Sequence, residues 1–144
     1  MTTMEKNLIS LASKATELAN KIIVTKLEEN GIKGIVPSHG GILHLLYLNK
    51  KVTMKEVAEF INKTKPTVTV LVDKLISLDY VCKTKSDDDS RVTYLTLTQK
   101  GESLEPIFKQ ISDELNELVY KNLTDEESMQ VSAILSKVID SLYS

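Results

Sequence analysis

Apolar residues recur at helical spacing along most of the chain, with Lys and Glu between them. The first run, residues 5–30, predicts one long amphipathic helix that ends at Asn30-Gly31. After the loop "GIKGIVP", Ser38 is the expected N-cap of a second helix, although two glycines weaken its start. The apolar positions of this second helix are Ile42, Leu45, Leu46 and Leu48.

Two short helices with a tight connection are predicted next. Thr53 and Glu56 have the spacing of a capping box, which opens a helix of about two and a half turns. Three connecting residues lead to a further helix with Thr64 as N-cap and Pro66 in its first turn. The two apolar stripes are Met54, Val57, Ala58 and Ile61, then Val68, Leu71, Val72, Leu75 and Ile76. This pattern is typical of a helix-turn-helix.

Two extended segments follow, "YVCKTK" at 80–85 and "RVTYLTLT" at 91–98, and the polar loop "SDDDS" joins them. The second segment alternates, with Leu95 and Leu97 on one face. A β-hairpin is therefore expected directly after the helix-turn-helix. The chain returns to helix at Thr98, Pro106 should kink or restart that helix, and a capping box at Thr124 opens a last helix.

Length and composition fit a mainly α fold with a β-hairpin wing. At 144 residues one domain, 1–144, is expected, and the low Gly and Pro counts of five and three favour helices. The single Cys82 cannot form an intramolecular disulfide, and the sequence predicts neither a signal peptide nor a membrane span. The expected location is the cytoplasm, with no membrane partner.

Charge is unevenly distributed along the chain. The net charge is −2, yet residues 50–100 hold ten Lys and Arg against seven Asp and Glu, and the remainder holds eight against thirteen. A basic middle segment suits a nucleic-acid partner, whereas an ordinary solvated face would give the same excess. Charge alone leaves both interpretations open.

The second helix of the pair, residues 64–78, is the candidate recognition helix. In such motifs the N-terminal residues of this helix reach base edges in the DNA major groove. Lys65 can donate to guanine or phosphate, and Thr67 and Thr69 offer hydroxyls to base edges and methyls to thymine. Lys74 and Lys63 are better placed for phosphate. The alternative is an ordinary polar helix surface.

The sequence of the hairpin resembles a signature of one protein family. The stretch "SDDDSRVTYLTLTQKG" resembles the wing signature of the MarR (multiple antibiotic resistance regulator) family. The segment Thr64 to Leu75 resembles the recognition helix of that family, and the helix order agrees along essentially the whole chain. The wing residues that match the signature are Asp89, Ser90, Arg91, Leu97, Thr98 and Gly101.

The resemblance implies a winged helix-turn-helix lobe at residues 36–100, with dimerisation helices at 1–35 and 101–144. It implies a sequence-specific regulator of transcription that binds double-stranded DNA, as a ligand-responsive repressor. The recognition helix 64–78 would enter the major groove and the wing 80–98 would lie at the minor groove. The residues assigned to DNA are Thr64, Lys65, Pro66, Thr67, Thr69, Lys74, Asp89 and Arg91. The partners would be a pseudo-palindromic operator and a second copy of the chain.

Within the wing, the resemblance implies that Asp89 orients Arg91 for the minor groove. A guanidinium held by a carboxylate has lost rotamer freedom before it binds. The acidic residues Asp87 and Asp88 depart from the basic wing tips of many relatives, and Val70 stands where many relatives carry Arg. Asp87 and Asp88 are either ordinary solvated turn residues or a source of repulsion against phosphate, and both departures favour weak or narrowly specific binding.

The resemblance also implies a small-molecule effector, for which His44 and Tyr47 are the candidate ligands, and the alternative is an ordinary structural role for both residues. His39 and His44 are five residues apart, a poor spacing for two metal ligands on one helical face, so neither a metal nor a cofactor is expected. Cys82 is expected to be a half-buried strand residue rather than a reactive thiol.

An enzyme is not expected. The sequence has two histidines and no paired Cys motif, phosphate-binding Gly loop or nucleophile elbow. The "DDDS" segment lacks the glycine and glutamate of a calcium loop. The alternative function is a winged-helix dimer that has lost DNA binding and acts as a protein-interaction module.

Overall fold

Apart from one additional short strand, the helices and strands follow the order that the sequence pattern predicts. The computed structural model describes residues 5–89 and 91–143, and Ser90 of the predicted wing signature lies outside them. The elements are α1 (Leu8–Glu29), α2 (Pro37–Leu48), β1 (Lys51–Thr53), α3 (Met54–Ile61), α4 (Lys65–Ser77), β2 (Val81–Lys85), β3 (Thr93–Leu97), α5 (Gln99–Ser103), α6 (Glu105–Tyr120) and α7 (Asp125–Leu142).

Residue contacts divide the chain into two compact units. The first is Met1–Ile111 and the second is Ser112–Ser144. The expectation that residues 1–144 form one domain remains a prediction.

The core of the first unit lies between the helix-turn-helix, α2 and a small sheet. Its largest side chains with almost no exposure are Leu27, Ile42, Leu43, Leu46, Leu75, Leu95, Val52, Val57, Val68, Val72 and Val81. The capping box of α3 is present, since Glu56 N–H donates to Thr53 Oγ1 at 3.1 Å and Thr53 N–H donates to Glu56 Oε1 at 3.0 Å. Asn62 ends α3 in the left-handed region, which Asn tolerates, and the chain turns there into α4. The predicted helix-turn-helix is confirmed.

The sheet has a strand that the sequence analysis missed. Its order is β1-β3-β2, antiparallel throughout, so β3 is central. The predicted hairpin of β2 and β3 is confirmed, and β1 adds a short edge in which Val52 lies opposite Leu95. Both residues are fully buried. The wing is therefore attached through β1 to the residues that open α3.

The start of α2 corrects a sequence prediction. Ser38 is not the N-cap, because Val36 occupies that position two residues earlier and the helix begins at Pro37. Proline suits this first position, since it has no N–H to leave unpaired and its φ is already helical. His39 takes the capping role instead, because its Nδ1 accepts a hydrogen bond from Val36 N–H at 3.0 Å.

Buried His39 predicts a pH dependence of stability. Its pKa is lowered from the usual value of 6.5, first by burial and second by the charge of Lys74. Below pH 6.5 the unfolded chain therefore binds a proton that the folded chain resists, so the free energy of unfolding should fall as the pH falls. Urea unfolding of the wild type and His39→Gln between pH 7.5 and 5.5 tests this. The free energy of unfolding of the variant should depend less steeply on pH than that of the wild type. Equal pH dependences would contradict the role given to His39.

The later helices begin where the sequence predicts. Thr98 caps α5 by accepting from Gly101 N–H at 3.0 Å, and α6 starts anew at Glu105 with Pro106 in its first turn. Thr124 and Glu127 form the second capping box.

The second unit, by itself, has no buried side chain among its described residues, 112–143. Its exposed large apolar residues are Leu118, Val119, Tyr120, Leu123, Met129, Val131, Ile134, Ile139, Leu142 and Tyr143.

No helix in the described part of the chain is both long and apolar enough to cross a lipid bilayer.

Candidate nucleic-acid interface

The outward face of α4 carries most of the predicted DNA-binding residues. Val68, Val72 and Leu75 anchor the helix in the core, which leaves the opposite side in solvent. The exposed residues of this helix and its N-cap are Thr64, Lys65, Pro66, Thr67, Thr69, Val70, Asp73, Lys74 and Ser77. The predicted contacts on α4 are therefore all accessible to a ligand.

The threonine hydroxyls on α4 have partners within the helix. Thr64 occupies the predicted N-cap position, but its hydroxyl donates to Thr67 Oγ1 at 3.1 Å and caps no backbone N–H. The Thr69 hydroxyl donates to the carbonyl of Lys65 at 3.0 Å. Thr64 and Thr69 therefore use their O–H protons within the helix, whereas Thr67 accepts a bond and keeps its O–H proton to donate to a ligand.

An ion pair that the sequence analysis missed ties the wing to α4. Lys83 Nζ on β2 lies 3.6 Å from Asp73 Oδ1, and both side chains are more than a third exposed. Such a pair contributes little to stability. The pair holds the Lys83 ammonium group next to the Asp73 carboxylate on the exposed side of α4.

On the wing, Asp89 holds Arg91 at three points. Arg91 backbone N–H donates to Asp89 Oδ1 at 3.0 Å, its Nε donates to the same oxygen at 3.2 Å, and its Nη2 donates to Oδ2 at 3.4 Å. The pKa of Asp89 is lowered mainly by these bonds from the Arg91 side chain. The carboxylate therefore stays ionised at neutral pH, and the 89% exposed Arg91 side chain is oriented in solvent. The role of this pair in DNA contact remains a prediction.

The acidic wing tip is ordered by Ser86. Its hydroxyl oxygen accepts from Asp88 N–H at 3.2 Å and from Asp89 N–H at 3.3 Å. Backbone bonds between Ser86 and Val92 and between Val92 and Asp89 close the turn. Asp87 and Asp88 remain exposed. The turn thus fixes Asp89 while its two acidic neighbours stay in solvent.

A junction at Gly101 connects the wing, α4 and α5. The α4 helix ends in a Schellman motif, with Asp79 in the left-handed region and Tyr80 N–H donating to Leu75 O at 3.0 Å. Thr98 then binds this end twice, through its hydroxyl to Asp79 O at 2.6 Å and its N–H to Tyr80 O at 3.0 Å. The direction of the wing relative to α4 is set by these bonds.

Comparison with known proteins shows which family this chain resembles. The sequence profile of the MarR family matches residues 33–92, which run from the loop before α2 to Val92, just after the Asp89–Arg91 pair. Over these residues the chain is MarR-like, and its relatives and fold neighbours support a MarR-type winged-helix regulator. The HTH-type transcriptional regulator MhqR of Bacillus subtilis is 26% identical over 139 residues, which cover 96% of this chain and 93% of MhqR.

Solved structures of the MarR family share the fold. The S. aureus MepR–DNA complex has a TM-score of 0.85 and 25% identity, covering 97% of this chain and 99% of MepR. A mutant MarR from E. coli complexed with operator DNA has a TM-score of 0.81 and 20% identity, covering 94% of this chain and 99% of that protein. The predicted winged helix-turn-helix fold is confirmed.

In this MarR-like chain the two candidate effector ligands contact different neighbours. His44 is exposed and its ring lies 6.2 Å from that of Phe60. The Tyr47 hydroxyl donates to Gly101 O at 2.9 Å, and burial, then nearby Glu105, raises the Tyr47 pKa. Tyr47 is therefore a neutral donor at physiological pH that already has an acceptor. An effector at these residues remains a prediction.

Two further predictions concern cysteine and metal. Cys82 is exposed, not half-buried as expected, because β2 has side chains in solvent on both faces beyond Val81. Its Sγ lies 3.1 Å from Thr96 Oγ1 on the neighbouring strand. Among residues 5–89 and 91–143, no cluster of three or more His, Cys, Asp or Glu is arranged to hold a metal ion.

Proposed function

We propose that this MarR-like protein is a sequence-specific double-stranded DNA-binding regulator of transcription that acts as a repressor. The observation that carries the proposal is the exposed outer face of α4 beside a wing whose Arg91 is held by Asp89. Its relatives include MhqR, a named transcriptional regulator, and the fold neighbours MepR and MarR were solved with DNA. These likenesses favour DNA binding over the protein-interaction alternative.

In the proposed complex, α4 enters the major groove with its N-terminal end. Lys65 lies in the first turn, where recognition helices contact bases, with Pro66 and the threonines beside it. Lys74, one helical turn before the C-terminal end of α4, would neutralise phosphate without reading sequence. The wing would bring Arg91 to the adjacent minor groove, where a narrow groove has a strong negative potential.

We propose that the functional unit is a homodimer. The described part of the second unit buries no side chain, and α1 exposes Leu8, Ile9 and Leu11. Apolar surface of this extent is typical of an association site. Residues 1–35 and 101–144 would form a two-fold interface, with residues 36–100 as the DNA-binding lobe. Two-fold symmetry would then require a pseudo-palindromic operator.

Repression would follow if the dimer covered a promoter in the cytoplasm. A small molecule bound near His44 or Tyr47 would release the dimer from the DNA. The named relatives are regulators rather than enzymes, and we propose no catalytic activity for this chain.

Selection from a random duplex library, followed by fluorescence anisotropy, tests the proposed function. We expect one enriched pseudo-palindrome that binds at submicromolar concentration with two chains per duplex. The logarithm of its association constant should fall with the logarithm of salt concentration at a slope of about −5, as contacts to five or six phosphates would give. Sedimentation of the free protein should give twice the 16.1 kDa chain mass. A selected pool that binds no better than the starting library would refute sequence-specific binding.

A further inference from the structure

An apolar side chain stands in the middle of the polar surface proposed to contact DNA. Val70 is 70% exposed, and no other large apolar side chain among the described residues of the first unit is more exposed. Val68 and Val72, two positions before and after it, are buried. Since each helical residue turns by about 100°, Val70 lies on the side of α4 opposite the core. It therefore occupies the centre of the outward face.

The neighbours of Val70 leave an apolar strip between groups that already have partners. Pro66, one turn before Val70 on the same face, is also exposed. Next to this strip, the Thr67 hydroxyl accepts from Thr64 and the Asp73 carboxylate pairs with Lys83. The isopropyl group of Val70 has no protein partner that removes it from water. A ligand surface that covers it must offer an apolar group of its own.

Only one natural base offers such a group in the major groove. Thymine carries a C5 methyl there, whereas cytosine presents its amino donor and adenine and guanine present polar atoms. A cytosine amino group placed against Val70 would lose its water without gaining an acceptor, which is costly. The cationic side chains Lys65, Lys74 and Arg91 supply the attraction to phosphate that brings the helix into the groove.

We propose that Val70 is a specificity-determining residue that contacts the C5 methyl of one thymine in each operator half-site. The inference rests on the proposed function, because it assigns a base preference within that complex. It replaces a polar base contact at this position with a methyl-to-isopropyl contact. Sequence preference at the corresponding base pair is then for thymine over cytosine.

Deoxyuridine substitution tests the contact, because it removes the methyl group alone. The probe is the tightest duplex recovered by selection with the wild-type protein, and each thymine is replaced in turn by deoxyuridine. Removing one buried methyl should weaken wild-type binding by about fourfold. This loss is expected at one symmetry-related position per half-site. Val70→Ala should bind the thymine and uracil duplexes equally at that position.

Two controls separate the contact from a change in folding. Alanine has a higher helix propensity than valine, so Val70→Ala should keep the wild-type circular dichroism and melting temperature. Val36→Ala, which truncates an exposed valine outside α4, should keep the fourfold sensitivity to uracil. The inference is overturned if wild-type binding is insensitive to uracil at every position, or if Val70→Ala keeps the full sensitivity. Failure of the wild type to select any duplex would overturn the proposed function itself, and the inference with it.

Discussion

Replacing Arg91 by alanine is expected to weaken binding to the selected operator by about twentyfold, within the range of 1–3 kcal/mol for a specific base contact. The side chain is almost fully exposed, and Asp89 holds it through both Nε and Nη2. Its orientation is thus fixed before the wing meets DNA, so little rotamer entropy remains to be lost. Anisotropy titration of the operator duplex measures the effect.

Matched variants separate the orientation of Arg91 from its charge. Arg91→Lys keeps the charge and loses the planar fork, so it should retain the salt slope but bind more weakly than the wild type. Lys50→Ala removes an exposed positive charge between α2 and β1, outside α4, the wing and the proposed dimer interface, and should leave the affinity unchanged. If Arg91→Ala bound the operator as tightly as the wild type does, the wing would have no part in recognition.

A second large effect is expected at Gly101, where alanine should lower the free energy of unfolding by about 3 kcal/mol, the upper end of ordinary overpacking. A Cβ at this buried position would collide with the carbonyl oxygen of Tyr80 and lie 3.2 Å from Leu97 Cδ2. Helix propensity acts in the opposite direction, since alanine is better than glycine within a helix by about 1 kcal/mol. The collision should dominate because a carbonyl of the Schellman motif cannot move without the wing.

Gly40→Ala is the matched control for Gly101→Ala. Gly40 also lies in a helix, but its Cβ would make an ordinary contact with Phe108 Cε1 at 3.4 Å. This substitution should leave stability unchanged or raise it slightly, because propensity then acts without a collision. Urea unfolding of both variants compares them directly. Equal free energies of unfolding would show that the backbone around Gly101 accommodates a methyl group without loss of stability.

Arg91→Ala and Gly101→Ala together test whether DNA affinity and folding stability can be changed separately. Arg91 makes hydrogen bonds only within the wing tip, among the contacts of the described residues, so its loss should change affinity and leave unfolding unaffected. Gly101 accepts the Tyr47 hydroxyl and donates to Thr98, so its substitution should change unfolding first. Any loss of DNA affinity in Gly101→Ala would then reflect a displaced wing.

Local signals in the sequence determined the helices and the hairpin. Capping boxes at Thr53 and Thr124, the glycine after Asn30 and the proline at 106 each act on neighbouring backbone groups, so their consequences are readable without the fold. The spacing of apolar residues likewise predicted which face of α4 is buried. The proximity of Asp89 and Arg91 in sequence made their pairing predictable, because only one residue separates them.

The tertiary structure alone decided features that depend on residues far apart in sequence. Strand β1 exists because Val52 meets Leu95, and its three residues carry no local signal beyond the capping residue Thr53. The Lys83–Asp73 pair and the collision that excludes a side chain at Gly101 arise where separate segments pack together. Hydrophobic periodicity reports the burial of one element, whereas these contacts require two elements in register, and that register is set by the packed core.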